Sequence, residues 1–132
     1  MFLKGRTAVV TGSTSGIGLA YARAFAGAGA TVVINGFGDR QAIEQARAEL
    51  AAASGAEAFY DPADMANGAE VAGLVERAAG RTGRVDVLVN NAGVQHVSPI
   101  ADFPPDKWDA VIAINLSSAF HAMRAAVPLM RA

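Results

Sequence analysis

Short apolar runs and longer amphipathic stretches alternate along this chain, and the alternation predicts strands and helices in turn. The runs are bounded by turn residues, as buried strands are, and they cover residues 7–11, 31–35, 57–60 and 85–90. After each run, apolar residues recur at spacings of three and four, which predicts a helix with one buried face. The predicted order of elements is therefore β-α-β-α-β-α-β-α.

Local signals mark where the predicted helices begin and end. Asp39 is predicted to cap the second helix, and Asn67 with Glu70 predicts a capping box at the third. The fourth helix begins near Asp106, and Pro128 is expected to kink or end it. The positions predicted to form the apolar faces are Ile17, Tyr21, Phe25 and Ala28 in the first helix, Ile43, Ala46, Leu50 and Ala53 in the second, Val71, Leu74, Val75 and Ala78 in the third, and Trp108, Val111, Ile112, Leu116, Ala119, Phe120 and Met123 in the fourth. Phe103 and Trp108 are expected in the core.

Alternation with helical crossovers predicts a parallel sheet that is covered by helices on both faces. The predicted fold class is α/β, with a doubly wound, Rossmann-type sheet of strand order 3-2-1-4 in one domain over residues 1–132. A crevice is expected between the first and fourth strands, where the strand order reverses.

Composition and charge limit the binding partners that the sequence predicts. The formal net charge of −1 gives no basic surface for nucleic acid. The chain has no cysteine, and neither histidine has an acid at ligand spacing, so no metal site is predicted. No apolar run approaches 18 residues, so no membrane span is expected, and a cytoplasmic location is the default.

The strongest candidate site is the glycine-rich stretch that follows the first strand. Gly12 allows a sharp turn off the strand, Gly16 allows a phosphate to approach the backbone, and Gly18 allows the new helix to pack closely. The helix start offers free N–H groups to a pyrophosphate. An ordinary strand-to-helix turn is the alternative, because the spacing is not G-x-G-x-x-G. The predicted dinucleotide contacts here are Gly12, Ser13, Thr14, Ser15, Gly16, Ile17 and Gly18.

A second stretch, Asn90-Asn91-Ala92-Gly93, follows the fourth strand. With the T-G-x-x-x-G-x-G loop it makes the chain resemble the short-chain dehydrogenase/reductase family over essentially its whole length. The resemblance implies a nicotinamide cofactor. It implies that Asp64 accepts a hydrogen bond from the adenine amino group, that Asn91 holds the strands around the cofactor, and that Ala92 and Gly93 lie against the ribose.

The resemblance also implies a catalytic role for Asn115, whose backbone carbonyl would help to hold a water in a proton relay. Simpler alternatives stay open for three of these residues. Asp64 would be a solvated turn residue, Asn91 would cap a strand end, and Asn115 would make an interior contact to a neighbouring loop.

Within the family, residues 35–39, 90–97 and 120–121 resemble the bacterial D-3-hydroxybutyrate dehydrogenases. In that subgroup a glutamine at the position of Gln95 contacts the substrate carboxylate; an exposed loop amide is the alternative. No basic residue lies in the glycine loop or directly after the second strand, which favours NAD over NADP. Phe37 is expected to sit against the adenine and Asp39 adds negative potential, whereas Arg40 is the residue that would reverse this preference.

The family's catalytic tyrosine and lysine, four positions apart, have no counterpart here. The tyrosines are Tyr21 and Tyr60, and the lysines are Lys4 and Lys107. The chain is therefore expected to be the N-terminal portion of such an enzyme, truncated after the fourth βα unit and inactive alone. The full-length enzyme would oxidise a small-molecule substrate as a homo-tetramer. The alternatives are a non-catalytic dinucleotide-binding module and a reductase of another small hydroxy or oxo compound.

Overall fold

Four parallel strands in the order β3-β2-β1-β4 form the sheet, as the sequence predicts. The structure is a computed structural model that describes all residues from 1 to 132. The strands are β1 (Thr7–Val10), β2 (Thr31–Asn35), β3 (Ala58–Asp61) and β4 (Val87–Val89). The helices are α1 (Gly16–Gly27), α2 (Arg40–Ser54), α3 (Gly68–Thr82), α4 (Pro105–Ile112) and α5 (Ser118–Arg131). A 3-10 turn covers Ile100–Asp102, and a π-helical turn, Ala113–Ser117, joins α4 to α5.

Strand β1 lies at the centre of the sheet and is fully buried. Its residues pair with β2 from Thr7 opposite Thr31, and with β4 from Ala8 opposite Val87. Helices α1 and α2 cover one face of the sheet, and α3 and α5 cover the other. The carboxyl ends of β1 and β4 therefore lie side by side, at the point where the direction of the crossovers reverses.

Helix α1 buries a different face from the predicted one. Its buried residues are Gly18, Ala22 and Ala26. Of the predicted face, Ile17 is 72% exposed, Tyr21 is also exposed, and Phe25 and Ala28 are only half-buried. The small residues recur every four positions, which brings the helix close to the sheet. The prediction failed because it took the larger apolar side chains, rather than the smallest ones, as the packing surface.

Helices α2 and α3 largely agree with the prediction. Ile43, Ala46 and Leu50 are buried as expected in α2, but Ala53 is exposed and Ser54 takes the buried position after it. All four predicted positions in α3 are buried. Asp39 caps α2 through the N–H of Ala42.

The capping box of α3 is only half formed. Asn67 accepts hydrogen bonds from the N–H groups of Ala69 and Glu70, as predicted. The Glu70 carboxylate, however, bonds to the N–H of Asp64 rather than to that of Asn67. The side chain thus ties the helix start to the preceding loop.

The last helical span buries Ser118, Ala122 and Ala126 and exposes most of its large apolar residues. The core position predicted for Trp108 is wrong, because the side chain is 54% exposed and packs edge to face on Phe103. Pro128 does not end the helix, which continues to Arg131.

By length and composition alone, the helical span Pro105–Arg131 is long and apolar enough to cross a membrane. Core helices of water-soluble proteins meet the same criterion. The expected absence of a membrane span therefore stays a prediction.

Candidate functional site

The turn after β1 brings the glycine loop against the segment that follows β4. Gly12 has a φ of +59°, and a Cβ placed on it would lie 2.8 Å from Cα of Ala92. A larger residue would therefore strain the backbone and push the two segments apart. The predicted sharp turn at Gly12 is present.

Gly16 and Gly18 face different surroundings at the start of α1. A Cβ on Gly18 would overlap the carbonyl oxygen of Gly12 and lie 2.5 Å from Nδ2 of Asn91. Gly16 has a φ of +59° and no other atom within 4 Å of such a Cβ. Ser15, the N-cap of α1, makes no side-chain capping bond. The helix start thus presents uncapped N–H groups beside open space, the arrangement in which helix N-termini bind anions.

Two of the residues predicted to contact the dinucleotide from this loop, Ser13 and Thr14, donate hydrogen bonds to carbonyl groups of the protein. Ser13 is 0% exposed; its hydroxyl donates to the carbonyl of Val10 at 2.6 Å and accepts from the N–H of Asn35 at 3.0 Å. This side chain is not available to a ligand, so the structure gives Ser13 a role inside the loop. The Thr14 hydroxyl donates to the carbonyl of Phe37 at 3.1 Å. Ile17 projects outward at the start of the helix.

The segment after β4 is fixed by Thr11, a residue that the sequence analysis did not single out. Its buried hydroxyl accepts hydrogen bonds from the N–H groups of Asn91 and Ala92, both at 3.0 Å. The Asn91 amide in turn donates to the carbonyl of Gly12 at 2.9 Å. These bonds hold the ends of β1 and β4 together beside the crevice. The feature of the sequence that could have pointed to Thr11 is a polar residue at the end of an apolar strand.

Asn35 is a second residue that the sequence analysis missed. It is fully buried at the end of β2, and its Oδ1 accepts from the N–H of Gly12 at 3.1 Å. Its Nδ2 donates to the carbonyls of Asp61 and Ala63, both at 3.0 Å. One amide side chain therefore connects the glycine loop to the loop after β3.

A cleft opens at this edge of the sheet, with a volume of about 130 Å³. Its lining residues are Gly12, Asn35, Gly36, Phe37, Ala63, Asp64, Met65, Ala92, Gly93, Val94 and Ile114. They include Gly12, Phe37, Asp64, Ala92 and Gly93 from the prediction, and none of them is a lysine or arginine. Oδ1 of Asp64 accepts from the N–H of Ala66 at 2.9 Å, and its other oxygen has no partner in the protein.

Asn115 lies in the π-helical turn, a helix irregularity that is frequent at functional sites. Its Oδ1 accepts from the N–H of Val94 at 2.7 Å, and its Nδ2 donates to the carbonyl of Val94 at 2.8 Å. The side chain thus makes the loop contact that was the simpler alternative. A catalytic role for Asn115 stays a prediction.

Gln95 follows Val94 directly and is exposed. On its other side, the ring of His96 packs edge to face on Phe103 with centroids 5.2 Å apart. The backbone around Gln95 is therefore held on both sides while its side chain faces solvent. No group of three or more potential metal ligands is present in the structure.

The strand order, the glycine turn at the carboxyl end of β1 and the cleft beside β4 are those of a Rossmann-type fold. The family model described as short chain dehydrogenase matches residues 6–132, and the chain belongs to this family of oxidoreductases. The cofactor class is therefore a nicotinamide dinucleotide.

Two curated relatives and one solved structure show which proteins the chain is similar to. The chain is 54% identical over 130 residues to D-beta-hydroxybutyrate dehydrogenase from Cupriavidus necator, covering 98% of this chain and 49% of the relative. It is 52% identical over 126 residues to the enzyme of the same name from Rhizobium meliloti, covering 96% of this chain and 49% of the relative. A metagenomic short-chain oxidoreductase, solved in complex with NADP, superposes with a TM-score of 0.90 at 38% identity, over 98% of this chain and 58% of that one. The chain thus spans about half the length of the curated relatives that it matches.

Proposed function

We propose that this chain is the NAD-binding part of a dehydrogenase that oxidises D-3-hydroxybutyrate to acetoacetate. The observation that carries the proposal is the identity of 54% and 52% to two enzymes named D-beta-hydroxybutyrate dehydrogenase, across nearly the whole chain. A nicotinamide dinucleotide, when bound, would supply the hydride acceptor for this oxidation. The residues of this chain would bind and orient the dinucleotide and the substrate.

The residues of the cleft fit a dinucleotide. Open space at Gly16 and the uncapped start of α1 suit a pyrophosphate. The free carboxylate oxygen of Asp64 suits an adenine amino group, and the backbone of Ala92 and Gly93 suits a ribose.

The preference for NAD is supported by charge. No cation lines the cleft, so a 2′-phosphate would find no partner there. Phe37, 67% exposed at the cleft rim, and the carboxylate of Asp39 on the same loop also disfavour a second phosphate. Titration calorimetry of this chain with NAD+ and NADP+ is the direct test. We expect NAD+ to bind more tightly, and tighter binding of NADP+ would refute the preference.

The substrate role of Gln95 is supported by its exposed position in the loop that lines the cleft. In the dehydrogenase purified from its natural source, Gln95→Ala should raise KM for 3-hydroxybutyrate at least tenfold with little change in KM for NAD+. Gln41→Ala, at an exposed glutamine on α2, is the matched control. Equal effects of the two variants on KM for 3-hydroxybutyrate would remove Gln95 from the substrate site.

A non-catalytic dinucleotide-binding module is the second candidate; residues 1–132 contain no Tyr-x-x-x-Lys pair. The intact mass of the protein from its natural source separates the two. A mass of about twice 13.5 kDa supports the dehydrogenase. A mass of 13.5 kDa supports the binding module. We expect the 132-residue chain to bind NAD+ without oxidising 3-hydroxybutyrate.

Self-association through α5 is also proposed, as a homo-tetramer at full length. Exposed apolar residues recur along this helical span at spacings of four and three, the spacing of helix-to-helix packing. They are Leu116, Phe120, Met123, Val127 and Met130. Phe120→Asp should shift the molar mass from light scattering toward the monomer, whereas Tyr21→Asp on α1 should not. A cytoplasmic location stays a prediction.

A further inference from the structure

Phe37 stands between two hollows on the surface. On one side is the cleft described above, which Phe37 lines together with Gly36. On the other side is a wider hollow of about 490 Å³, here called the Arg40 hollow. Its lining residues are Phe37, Gly38, Arg40, Ile43, Glu44, Tyr60 and Pro62. Phe37 is the residue that the two hollows share, so it lies on their common boundary.

Two hydroxyl groups from different elements hold the backbone on which this ring is mounted. The Tyr60 hydroxyl of β3 donates to the carbonyl of Gly36 at 2.5 Å. The Thr14 hydroxyl of the glycine loop donates to the next carbonyl, that of Phe37, at 3.1 Å. Burial, followed by the nearby charge of Asp61, raises the pKa of the Tyr60 phenol, so the group remains a neutral donor at physiological pH. We call this pair of bonds the Tyr60–Thr14 clamp.

The clamp leaves the Gly36–Phe37 segment little freedom to move. Gly36 has a φ of +145°, and a Cβ placed on it would lie 2.7 Å from Oγ1 of Thr14. The glycine therefore permits the close approach on which the Thr14 bond depends. The carbonyl of Gly36 is bonded to β3, and the carbonyl of Phe37 is bonded to the glycine loop.

Arg40 follows Phe37 by three residues, at the start of α2. It is the one lysine or arginine that lines either hollow. It forms no ion pair, whereas the neighbouring Glu44 is paired with Arg47 at 2.6 Å. Its field reaches Tyr60, whose pKa it lowers against the larger effects of burial and Asp61. A free guanidinium beside the cleft is the group that would bind a 2′-phosphate.

We infer that the Tyr60–Thr14 clamp holds Phe37 as a partition between the cleft and Arg40, and that this partition sets the discrimination between NAD and NADP. The inference rests on the proposed function. With the partition in place, the 2′-phosphate of NADP meets an aromatic ring instead of a guanidinium. Tyr60 and Thr14 act here as positioning residues, because their hydroxyl groups are bonded to the carbonyls of Gly36 and Phe37.

The test is a comparison of dissociation constants for NAD+ and NADP+, measured by titration calorimetry on this chain and its variants. Tyr60→Phe should move the affinity ratio toward NADP+ by about threefold to tenfold, the fold-change that corresponds to one lost hydrogen bond. Thr14→Val should move the ratio in the same direction. Tyr21→Phe is the matched control, since the Tyr21 hydroxyl makes no hydrogen bond and lies on α1. In the Tyr60→Phe background, Arg40→Ala should restore the original ratio.

The outcomes separate the clamp from a purely structural role. A variant that merely loses stability weakens both nucleotides in parallel, so an unchanged ratio in both Tyr60→Phe and Thr14→Val would overturn the inference. A shifted ratio that survives Arg40→Ala would overturn it too, because the phosphate would then have another partner. If Tyr60→Phe does not fold, Thr14→Val alone decides the matter.

A measurement without nucleotide keeps this inference distinct from the proposed function. Chymotrypsin cleaves after exposed aromatic residues, but only where the backbone opens locally. Cleavage after Phe37 should be about threefold to tenfold faster in Tyr60→Phe than in wild type, relative to cleavage elsewhere. An unchanged rate would overturn the clamp. If the wild-type chain binds neither nucleotide, the proposed function fails while the cleavage rate still tests the clamp.

Discussion

The substitution Gly18→Ala adds one methyl group where the start of α1 lies against the loop and the segment after β4. The new carbon would overlap the carbonyl oxygen of Gly12 and would lie 2.5 Å from Nδ2 of Asn91 and 2.8 Å from Cα of Ser13. Two of these neighbours are backbone atoms, which cannot rotate away. The helix start must therefore move outward, and the Asn91 bond to Gly12 must lengthen from 2.9 Å.

The size of the effect is the balance of opposing contributions. Overpacking against a rigid backbone costs about 1–3 kcal/mol. Loss of the Asn91 bond costs about 1 kcal/mol more. The higher helix propensity of alanine returns about 1 kcal/mol. The expected net loss is about 2 kcal/mol, which corresponds to a fall of about 7 °C in Tm for a domain of this length.

Gly80→Ala provides the matched control, because it is the same chemical change within a helix. Apart from its chain neighbours and the backbone of its own helix, no atom lies within 4 Å of a Cβ at Gly80, and its φ is not positive. Only the propensity gain then remains, so Tm should rise by about 3 °C. Calorimetric melting of the three proteins measures both shifts. If Gly18→Ala melts at or above the temperature of wild type, the close approach inferred at Gly18 is wrong.

Three further predictions concern the polar residues around the sheet. Arg84, and then the N–H of Thr7, hold the pKa of Asp86 below its usual range. A carboxylate whose pKa is lowered by folding stabilises the fold at pH values above its pKa in the unfolded chain, and this stabilisation is lost as the pH falls. Asp86→Asn should therefore cost about 1 kcal/mol at pH 7, with the gap to wild type closing below about pH 4 in urea melts; a gap that does not change with pH would contradict the pairing of Asp86 with Arg84. Asn35→Asp should cost about 3 kcal/mol at pH 7, because it leaves two buried carbonyls without a donor, and a loss below about 1 kcal/mol in urea unfolding would contradict the hydrogen bonds assigned to this amide. Asn115→Ala should lower stability by about 1 kcal/mol and speed hydrogen exchange at its partner N–H; unchanged exchange there would show that the loop is held by other contacts.

The sheet could be predicted because its signals are local and repeated. Apolar runs, helical spacings and turn residues each mark one element, and the right-handed crossover rule then leaves few strand orders. Which large apolar residues of the helices are exposed was harder to predict. Ile17 and Trp108 are large and apolar, but α1 packs through Ala22 and Ala26, and nothing in its pattern distinguishes a close-packed stripe from a merely apolar one.

The glycine positions of the candidate site could be predicted because each backbone requirement excludes a side chain. The hydrogen bonds of the Asn35 side chain and N–H could not, because they join residues that are 22 to 28 positions apart. Such pairings depend on the parallel register of β1, β2 and β3. The register in turn depends on packing across the whole sheet, which no short stretch of sequence contains.

The polar residues that end the strands explain why the cleft lies where it does. Thr11, Asn35 and Asp61 each end a strand or directly follow one, and each is buried and hydrogen-bonded to a neighbouring loop. Parallel strands place these ends at one edge, where the backbone groups of the loops need partners that the sheet cannot supply. A polar layer beneath the loops meets that need and fixes the loops against each other. The buried polar side chains therefore hold the loops that line the site, and the groups left free there, at Gly16 and Asp64, are the ones available to a ligand.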